Sequence, residues 1–264
     1  MMARSFTPPE ALLKELGISE PNEIDIEAIA QYCGATIVYE VLEGCAARVV
    51  GHGDRAIITV DCRAQRPRQR FSAGHELGHW MLDRGKVGFA CAESVLNSEW
   101  TADNAERRAN EYAADCLLPE FMFVPRARNK EITFDTVDAL AHQFVTSMTA
   151  AAIRLVQHGS FPAMIICSEG GRRKWFIRGP DVPEVLWPRE RPEDDTLASS
   201  LTHGELSVKR PVEVYADSWI DHRDANRYSL VEDSIKIGSD QVLTLLWWRD
   251  EQQLLALSED EEFP

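Results

Sequence analysis

The sequence lacks the features that mark secreted and membrane-spanning proteins. No apolar run approaches the roughly 20 residues that a helix needs to cross a bilayer, and the first residues, MMARSFTPP, contain no apolar signal-peptide core. The six cysteines form no C-x-x-C pair, so the sequence predicts neither a zinc knuckle nor a disulfide framework, and we expect buried, reduced thiols. We therefore expect a cytoplasmic protein with no membrane partner.

Positive charge is scarce as well. The chain has 28 Lys and Arg residues against 43 Asp and Glu residues, which gives a net charge of -15. That balance excludes a nucleic-acid-binding function that uses the whole surface, although it leaves room for a local basic patch. With 264 residues, 44% of them hydrophobic, the chain is long enough for one large domain or two to three small ones.

One short stretch, His-Glu-Leu-Gly-His at residues 75–79, fits the pattern of a metal-binding helix. Residues four apart lie on the same face of an α-helix, so His75 and His79 can bind one metal ion. Glu76 lies about 100° round the helix from His75 and can act as a base without being a ligand. Gly74 and Gly78 are poor helix formers, and they predict that a strand or a substrate approaches this helix closely.

A two-histidine site needs a third protein ligand, commonly a carboxylate, with one position left open for water. A second helix, predicted at residues 101–118, offers four carboxylate candidates: Asp103, Glu106, Glu111 and Asp115. Glu106 is favoured over Glu111, because Asn110 lies four residues after Glu106 on the same face and can hydrogen-bond an imidazole. Glu106 and Glu111 are about 140° apart round the helix, so they cannot both bind the same ion.

The two helices together resemble a known family. HELGHWML at residues 75–82 and ERRANEYAADCLLP at residues 106–119 are similar to the two motifs of the ImmA/IrrE family of metallopeptidase-like proteins. The chain has Tyr112 where that family usually has phenylalanine. The resemblance implies a zincin-like metallopeptidase.

The resemblance also implies a role for each residue of the motifs. His75, His79 and Glu106 are expected to be the metal ligands, and Glu76 the catalytic base. Two imidazoles and one carboxylate favour zinc as the metal, with manganese as the alternative.

The strand and helix signals predict an α+β fold. Three β-like runs at residues 35–41, 46–50 and 55–60 precede the first motif and predict a small antiparallel sheet. Residues 83–100 read as an irregular loop. We expect these elements to form a zincin-like metallopeptidase core at residues 1–125.

Two further domains are expected after the core. Residues 126–158 are similar to the helical segment that follows the peptidase core in the same family, and we expect a helix-turn-helix-like segment there. Residues 159–264 alternate strand and turn signals. We expect a mainly β sensory or regulatory module in this part, for which a GAF-like fold is one candidate.

Residues 133–157 predict two short helices joined at about residues 145–147, which is a helix-turn-helix shape. The second helix contains only Arg154 as a cation, whereas a helix that reads the major groove carries more Arg, Lys, Asn or Gln. We therefore favour a structural or partner-docking role for this segment over direct DNA binding.

The resemblance implies an endopeptidase whose substrate is a helix-turn-helix transcriptional repressor, cut to induce stress-response or mobile-element genes. Two other functions stay open. The first is that of a metal-binding regulator that sequesters its partner without cleaving it. The second is that of a DNA-binding factor that uses residues 133–157.

Overall fold

The computed structural model describes residues 7–82, 89–92, 105–204 and 210–259. The chain divides into two compact units, one of Met1–Pro125 with Ala141–Ser147 and the other of Arg126–Leu140 with Met148–Pro264. Helices and two separate sheets confirm the predicted α+β class. The domain boundaries at residues 1–125, 126–158 and 159–264 stay a prediction. None of the described helices is both long and apolar enough to cross a membrane.

The first unit contains a four-stranded sheet and the helices that pack with it. Its helices are α1 (Pro9–Glu15), α2 (Ile26–Tyr32), α3 (Arg66–Leu82), α4 (Ala105–Leu117) and most of α5 (Glu120–Ala127). Its strands are β1 (Ala35–Glu40), β2 (Cys45–His52), β3 (Arg55–Asp61) and β4 (Phe89–Ala92), in the spatial order β1-β3-β2-β4.

Two predictions about this sheet are wrong. The sheet is mixed rather than antiparallel, because β1 runs parallel to β3 while β2 is antiparallel to both β3 and β4. The segment predicted as an irregular loop contains β4, which pairs with β2. The rest of that segment lies outside the described residues. An alternation of apolar and polar residues identifies a strand but not the strand it pairs with. The three β-like runs therefore could not predict the parallel pair.

The sheet turns one face towards α3. Ala47 and Val49 of β2 and Ala56, Ile58 and Val60 of β3 are buried, whereas Val50 and Ile57, which are paired on the other face, are exposed. This alternation follows from the two-residue period of a strand. It places an apolar face against the helix that carries the first motif, which contacts both β2 and β3.

Side-chain contacts fix α3 at both ends. At its first residue, Arg66 donates to the carboxylate of Glu27 on α2 and to the hydroxyl of Tyr39 on β1. Near its last turn, the indole Nε1 of Trp80 donates to the carbonyl oxygen of Cys33, at 2.9 Å. The helix is therefore tied to α2 and β1 before the motif, and to the residue that follows α2 after the motif.

The described cysteines correct the expectation of uniformly buried thiols. Cys33, Cys116 and Cys167 are buried, whereas Cys62 is exposed and Cys45 is partly exposed.

The second unit is built on an antiparallel sheet. Its strands are β5 (Ala163–Glu169), β6 (Arg172–Arg178), β7 (Val212–Tyr215), β8 (Ser229–Lys236) and β9 (Gln241–Trp247), in the order β6-β5-β9-β8-β7. Short helices α8 (Leu197–Thr202) and α9 (Glu251–Glu259) belong to the same unit. The five strands confirm that this part of the chain is largely β, while its likeness to a GAF domain stays a prediction.

Helices α6 (Phe134–Phe144) and α7 (Met148–His158) correspond to the predicted pair. Val145, in the turn between them, has a left-handed backbone with φ of 52°. No residue of α7 is exposed, and Arg154 is buried.

Strand β8 carries two consecutive buried carboxylates. Asp233 accepts the backbone N–H of Phe134 at 2.7 Å, and Glu232 accepts the N–H groups of Leu197 and Ala198, at 3.1 and 2.8 Å. Burial raises the pKa of both carboxyl groups, against the opposing effect of these hydrogen bonds. Each carboxylate thus caps the first turn of a helix, one on either face of the strand.

Candidate metal centre

The two histidines of the first motif meet on one face of α3. Each is 1% exposed, and their Nε2 atoms lie 3.1 Å apart. The ring planes are nearly perpendicular, at 81°. Two imidazole nitrogens at this separation, both facing the same space, can bind one cation.

Glu106 of α4 completes the cluster. Its Oε2 atom lies 3.1 Å from Nε2 of His75, and its Oε1 atom lies 3.4 Å from Nε2 of His79. Among the described residues, these three form the group of histidine, cysteine and carboxylate side chains that can hold a metal ion, with ligand atoms all within 4.8 Å of one another. The structure therefore brings together the three residues predicted as ligands.

The other carboxylate candidates stand apart from this cluster or outside the described residues. Glu111 forms an ion pair with Arg107, at 2.9 Å, and its side chain is about half exposed. Asp115 is not part of the cluster. Asp103 lies outside the described residues. The geometry thus agrees with the preference for Glu106 over Glu111.

Two glycines allow α4 to approach α3 closely. A Cβ atom added at Gly78 would lie 3.0 Å from both Cα of Ala109 and Cβ of Tyr112, and one at Gly74 would lie 3.3 Å from Cβ of Ala113. The sequence predicted that these glycines admit a strand or a substrate, and that expectation is wrong for the described residues, because a helix fills the space. The close contact brings Glu106 within reach of the histidines.

Asn110 orients one of the two imidazoles. Its Oδ1 atom lies 2.9 Å from Nδ1 of His75. With the amide oxygen in this position, Nδ1–H of His75 donates the hydrogen bond, and the lone pair of Nε2 faces the cluster. This is the contact expected for a residue that orients a metal-binding histidine.

The charge state of His75 also suits a ligand. Burial, followed by the neighbouring His79, lowers its pKa to about 4, against the opposing effects of Glu106 and Asn110. The imidazole of His75 is therefore neutral near pH 7. A neutral ring offers the nitrogen lone pair that a metal requires.

The cluster has the dimensions of a tetrahedral zinc site. Bonds of about 2.0–2.1 Å at tetrahedral angles place ligand atoms about 3.3–3.4 Å from one another. In the cluster, the two Nε2 atoms lie 3.1 Å apart, and one oxygen of Glu106 lies 3.1 Å from Nε2 of His75 and the other 3.4 Å from Nε2 of His79. Three protein ligands leave a fourth position for water or substrate. The residues present therefore fit a metal ion of this kind.

Glu76, predicted as the base, follows His75 directly on α3 and is 1% exposed. The helical period places its side chain about 100° round α3 from that of His75. The roles assigned to His75, Glu76, His79, Glu106 and Asn110 stay predictions.

Comparison with known proteins places this geometry in a family. A family model described as the IrrE N-terminal-like domain, peptidase family M78, matches residues 30–156. Through these residues the chain belongs to the ImmA/IrrE family. Membership implies a metallopeptidase and a bound metal ion. The matched residues include both motifs, helix α6 and all but the last two residues of α7.

The fold extends beyond the ImmA/IrrE domain. A solved structure of a Mycobacterium tuberculosis transcriptional regulator is similar with a TM-score of 0.57 and 15% sequence identity, and the likeness covers 90% of this chain and 74% of the other. At this identity the likeness concerns the fold. No match was found among curated proteins.

Proposed function

We propose that the chain is a zinc-dependent endopeptidase of the cytoplasm that cleaves a helix-turn-helix transcriptional repressor. The observation that carries the proposal is the convergence of His75, His79 and Glu106 at 3.1–3.4 Å beside Glu76 on a buried helix. Membership of a peptidase family gives this cluster a hydrolytic role.

His75, His79 and Glu106 would hold the metal. Two imidazole nitrogens and one carboxylate favour zinc, with manganese as the alternative. A zinc ion bound there would polarise the scissile carbonyl and bring the pKa of water towards neutrality. The N–H of His75, held by Asn110, keeps the ring in the orientation in which Nε2 faces the ion.

Glu76 would move the proton. Its carboxylate takes a proton from the attacking water and passes it to the leaving amine, which is the usual task of the glutamate in H-E-x-x-H. Glu76 is 1% exposed, so its carboxylate would hold that proton away from bulk water.

The substrate assignment rests on the family resemblance. The similar solved structure is named as a transcriptional regulator, which is consistent with a role in transcription. The net charge of -15 favours encounter with a basic partner such as a DNA-binding repressor. The mainly β part of the second unit would serve as the sensory or regulatory module.

The low exposure of α7 speaks against direct DNA binding through residues 133–157. A recognition helix presents exposed donors and acceptors to the major groove, whereas none of the residues of α7 is exposed. Duplex binding with a steep salt dependence would support that alternative.

The test is co-expression with the repressor encoded nearest to the gene, followed by a gel for repressor fragments. We expect fragments with the unchanged chain and none with Glu76→Gln, which keeps the three metal ligands. Glu111→Gln is the matched control, because Glu111 pairs with Arg107 away from the cluster. Fragments that persist with Glu76→Gln would exclude general-base proteolysis. Derepression that persists without fragments would favour sequestration of the partner.

A further inference from the structure

Cations are concentrated at one edge of the sheet in the second unit. The five strands lie in the order β6-β5-β9-β8-β7, so β6 is an edge strand. Its sequence, RRKWFIR at residues 172–178, has four cations in seven residues, although the whole chain has a net charge of -15. This strand is therefore a candidate for the local basic patch that the composition allows.

Two guanidinium groups and two aromatic rings stack along β6. Phe176 meets Trp187 edge to face, with ring centroids 5.4 Å apart. The guanidinium of Arg173 lies 5.0 Å from the centroid of Phe176. That of Arg178 lies 5.6 Å from the centroid of Phe176 and 5.4 Å from that of Trp187. These distances are those of cation–π contacts, and we call the four residues the arginine–aromatic platform.

The fold holds the arginine–aromatic platform in place. Phe176 packs against the apolar core of the second unit. Both platform arginines donate to backbone carbonyl oxygens on either side of Trp187, those of Leu186 and Pro188. The carbonyl oxygen of Trp187 itself accepts the N–H of Asp221, at 3.0 Å. A ligand would therefore meet a surface that needs little further ordering, which lowers the cost of binding.

The outer ring of the platform is open to a ligand. Trp187 is 52% exposed. Val185, two residues earlier, is exposed as well. Four other tryptophans of the described residues are buried: Trp80, Trp219, Trp247 and Trp248. Trp187 thus differs from them in presenting its indole to solvent next to two cations.

The charge of the two platform arginines is available to an anion. Glu190 is near Arg173 but forms its ion pair with Arg172. Glu184 acts on Arg178 as a nearby charge, without an ion pair between them among the described residues. A guanidinium has five N–H donors, and the described residues accept a hydrogen bond from only one donor of each platform arginine. The platform therefore offers an aromatic face and hydrogen-bond donors in the same place.

We propose that the arginine–aromatic platform binds single-stranded nucleic acid. A base would stack on the exposed face of Trp187, and the two guanidinium groups would bind adjacent phosphates. Every base has an aromatic face, so we expect binding without a preferred sequence. A duplex keeps its bases stacked on one another and cannot offer one to Trp187. An acidic peptide would satisfy the arginines but not the indole.

The negative charge of the whole chain limits the strength of this binding. At about 0.1 M salt, charges more than about 10 Å apart are largely screened, so the cations of β6 determine the contact. Two bound phosphates predict that the logarithm of the binding constant falls with the logarithm of the salt concentration with a slope of about -1.4. The inference does not depend on the proposed peptidase activity, since no residue of the metal cluster takes part.

The experiment measures the fluorescence anisotropy of a labelled oligothymidine of about 12 nucleotides with the full-length protein at about 0.1 M salt. We expect Trp187→Ala to weaken binding by about 5- to 150-fold, which is the usual effect of removing one stacked base. Arg173→Gln should weaken binding and reduce the salt slope by about 0.7. Trp187→Phe keeps an aromatic ring and should retain most of the affinity.

Two exposed positions elsewhere in the second unit supply matched controls. Tyr215 is 66% exposed on β7, at the opposite edge of the sheet. Arg249 lies over the ring of Trp247, which is buried, and pairs with Glu131. Neither Tyr215→Ala nor Arg249→Gln should change the affinity for oligothymidine.

Several results would overturn the proposal. They are the lack of an anisotropy change with oligothymidine, equal affinity for the matching duplex, and equal losses in the platform and control variants. A polyglutamate peptide that displaces oligothymidine at equal concentration would assign the platform to acidic peptides instead. Trp187→Ala should melt as the unchanged protein does, because its ring is half exposed. If it melts lower, equal affinities of Trp187→Phe, Arg173→Gln and the unchanged protein would still contradict the role of Arg173.

Discussion

The Oδ1 atom of Asn110 lies 2.9 Å from Nδ1 of His75, so a residue of α4 fixes the orientation of an imidazole on α3. The same helix supplies Glu106, one turn earlier, to the Nε2 side of the same ring. Helix α4 therefore contributes both the carboxylate of the cluster and the hydrogen bond that orients the ring of His75.

Replacing Asn110 should weaken metal binding without abolishing it. Asn110→Ala removes the acceptor for Nδ1–H, so the ring of His75 can rotate and the other tautomer competes. Loss of such a partner typically costs about 10–100-fold in metal affinity. Chelator competition on the purified chain measures the metal affinity. Asn110→Asp keeps an oxygen acceptor and should retain most of that affinity. Unchanged affinity of Asn110→Ala would show that the hydrogen bond has no part in binding.

Glu106 and Glu111 should differ sharply as metal ligands. Glu106→Ala removes the oxygen ligand of the cluster, and we expect stoichiometric metal to be lost from the purified protein, as measured by elemental analysis. Glu111→Ala breaks only the surface pair with Arg107 and should leave the metal content unchanged. If the two variants exchanged these results, the third ligand would be Glu111.

The site was easier to predict than the sheet that supports it. His75, Glu76 and His79 lie on one helix, and the period of 3.6 residues fixes the relative directions of their side chains. Glu106 needed the further observation of Asn110 four residues away. Strand order carries no such local signature, so the parallel pairing of β1 with β3 was missed.

Buried polar residues make the extent of a strand hard to predict. In the sequence, the polar residues Glu232, Asp233 and Ser234 follow Leu230 and Val231 and interrupt the apolar run. In the structure, β8 continues through them to Lys236. Their polar atoms are satisfied by helix N-termini and by other side chains, and these partners are distant in sequence. Sequence alone does not show which polar residues will find such partners.

The spacing of the glycines in α3 indicates helix packing, although from the sequence we expected a strand or a substrate there. Gly74 and Gly78 are four residues apart, and Ala109 and Ala113 repeat that spacing on α4. Small residues at this spacing on two helices allow close helix packing, and the contacts of both glycines are with α4.

Replacing Gly78 should destabilise the first unit more than replacing Gly74. The added methyl of Gly78→Ala meets backbone and Cβ atoms at 3.0 Å, whereas that of Gly74→Ala meets its neighbours at 3.3 Å or more. Overpacking costs about 1–3 kcal/mol, while alanine gains up to about 1 kcal/mol over glycine in helix propensity. We therefore expect Gly78→Ala to be less stable by about 1–2 kcal/mol and Gly74→Ala to be near neutral. Urea unfolding measures both, and equal stabilities would contradict the packing argument.

The same substitution should also act on the metal. If the methyl at Gly78 pushes α4 away, Glu106 moves from the histidines, and the metal affinity of Gly78→Ala falls while that of Gly74→Ala does not. Chelator competition measures this effect. If Gly78→Ala is destabilised but its metal affinity is unchanged, α4 adjusts to the added methyl without moving Glu106 away from the histidines.

The contact of Glu27 with Arg66 and Tyr39 should make the stability of the chain depend on pH. Burial alone would raise the pKa of Glu27, but hydrogen bonds from Arg66 and Tyr39 hold it at about 2, below the ordinary value of 4.5. Because the folded pKa is the lower one, the carboxylate stabilises the fold above about pH 4.5, and the contribution is lost as the pH falls towards 2.

Glu27→Gln should therefore melt at a lower temperature than the unchanged chain at about pH 6, and the gap should narrow below about pH 4.5 and close only as the pH reaches about 2. Circular dichroism during heating measures the gap. Loss of metal at low pH affects both chains alike and cancels in the difference. Arg66→Gln should reproduce the behaviour, because it removes the first hydrogen-bond donor to the carboxylate. A gap that stays constant with pH, or widens as the pH falls, would show that the charge of Glu27 does not stabilise the start of α3.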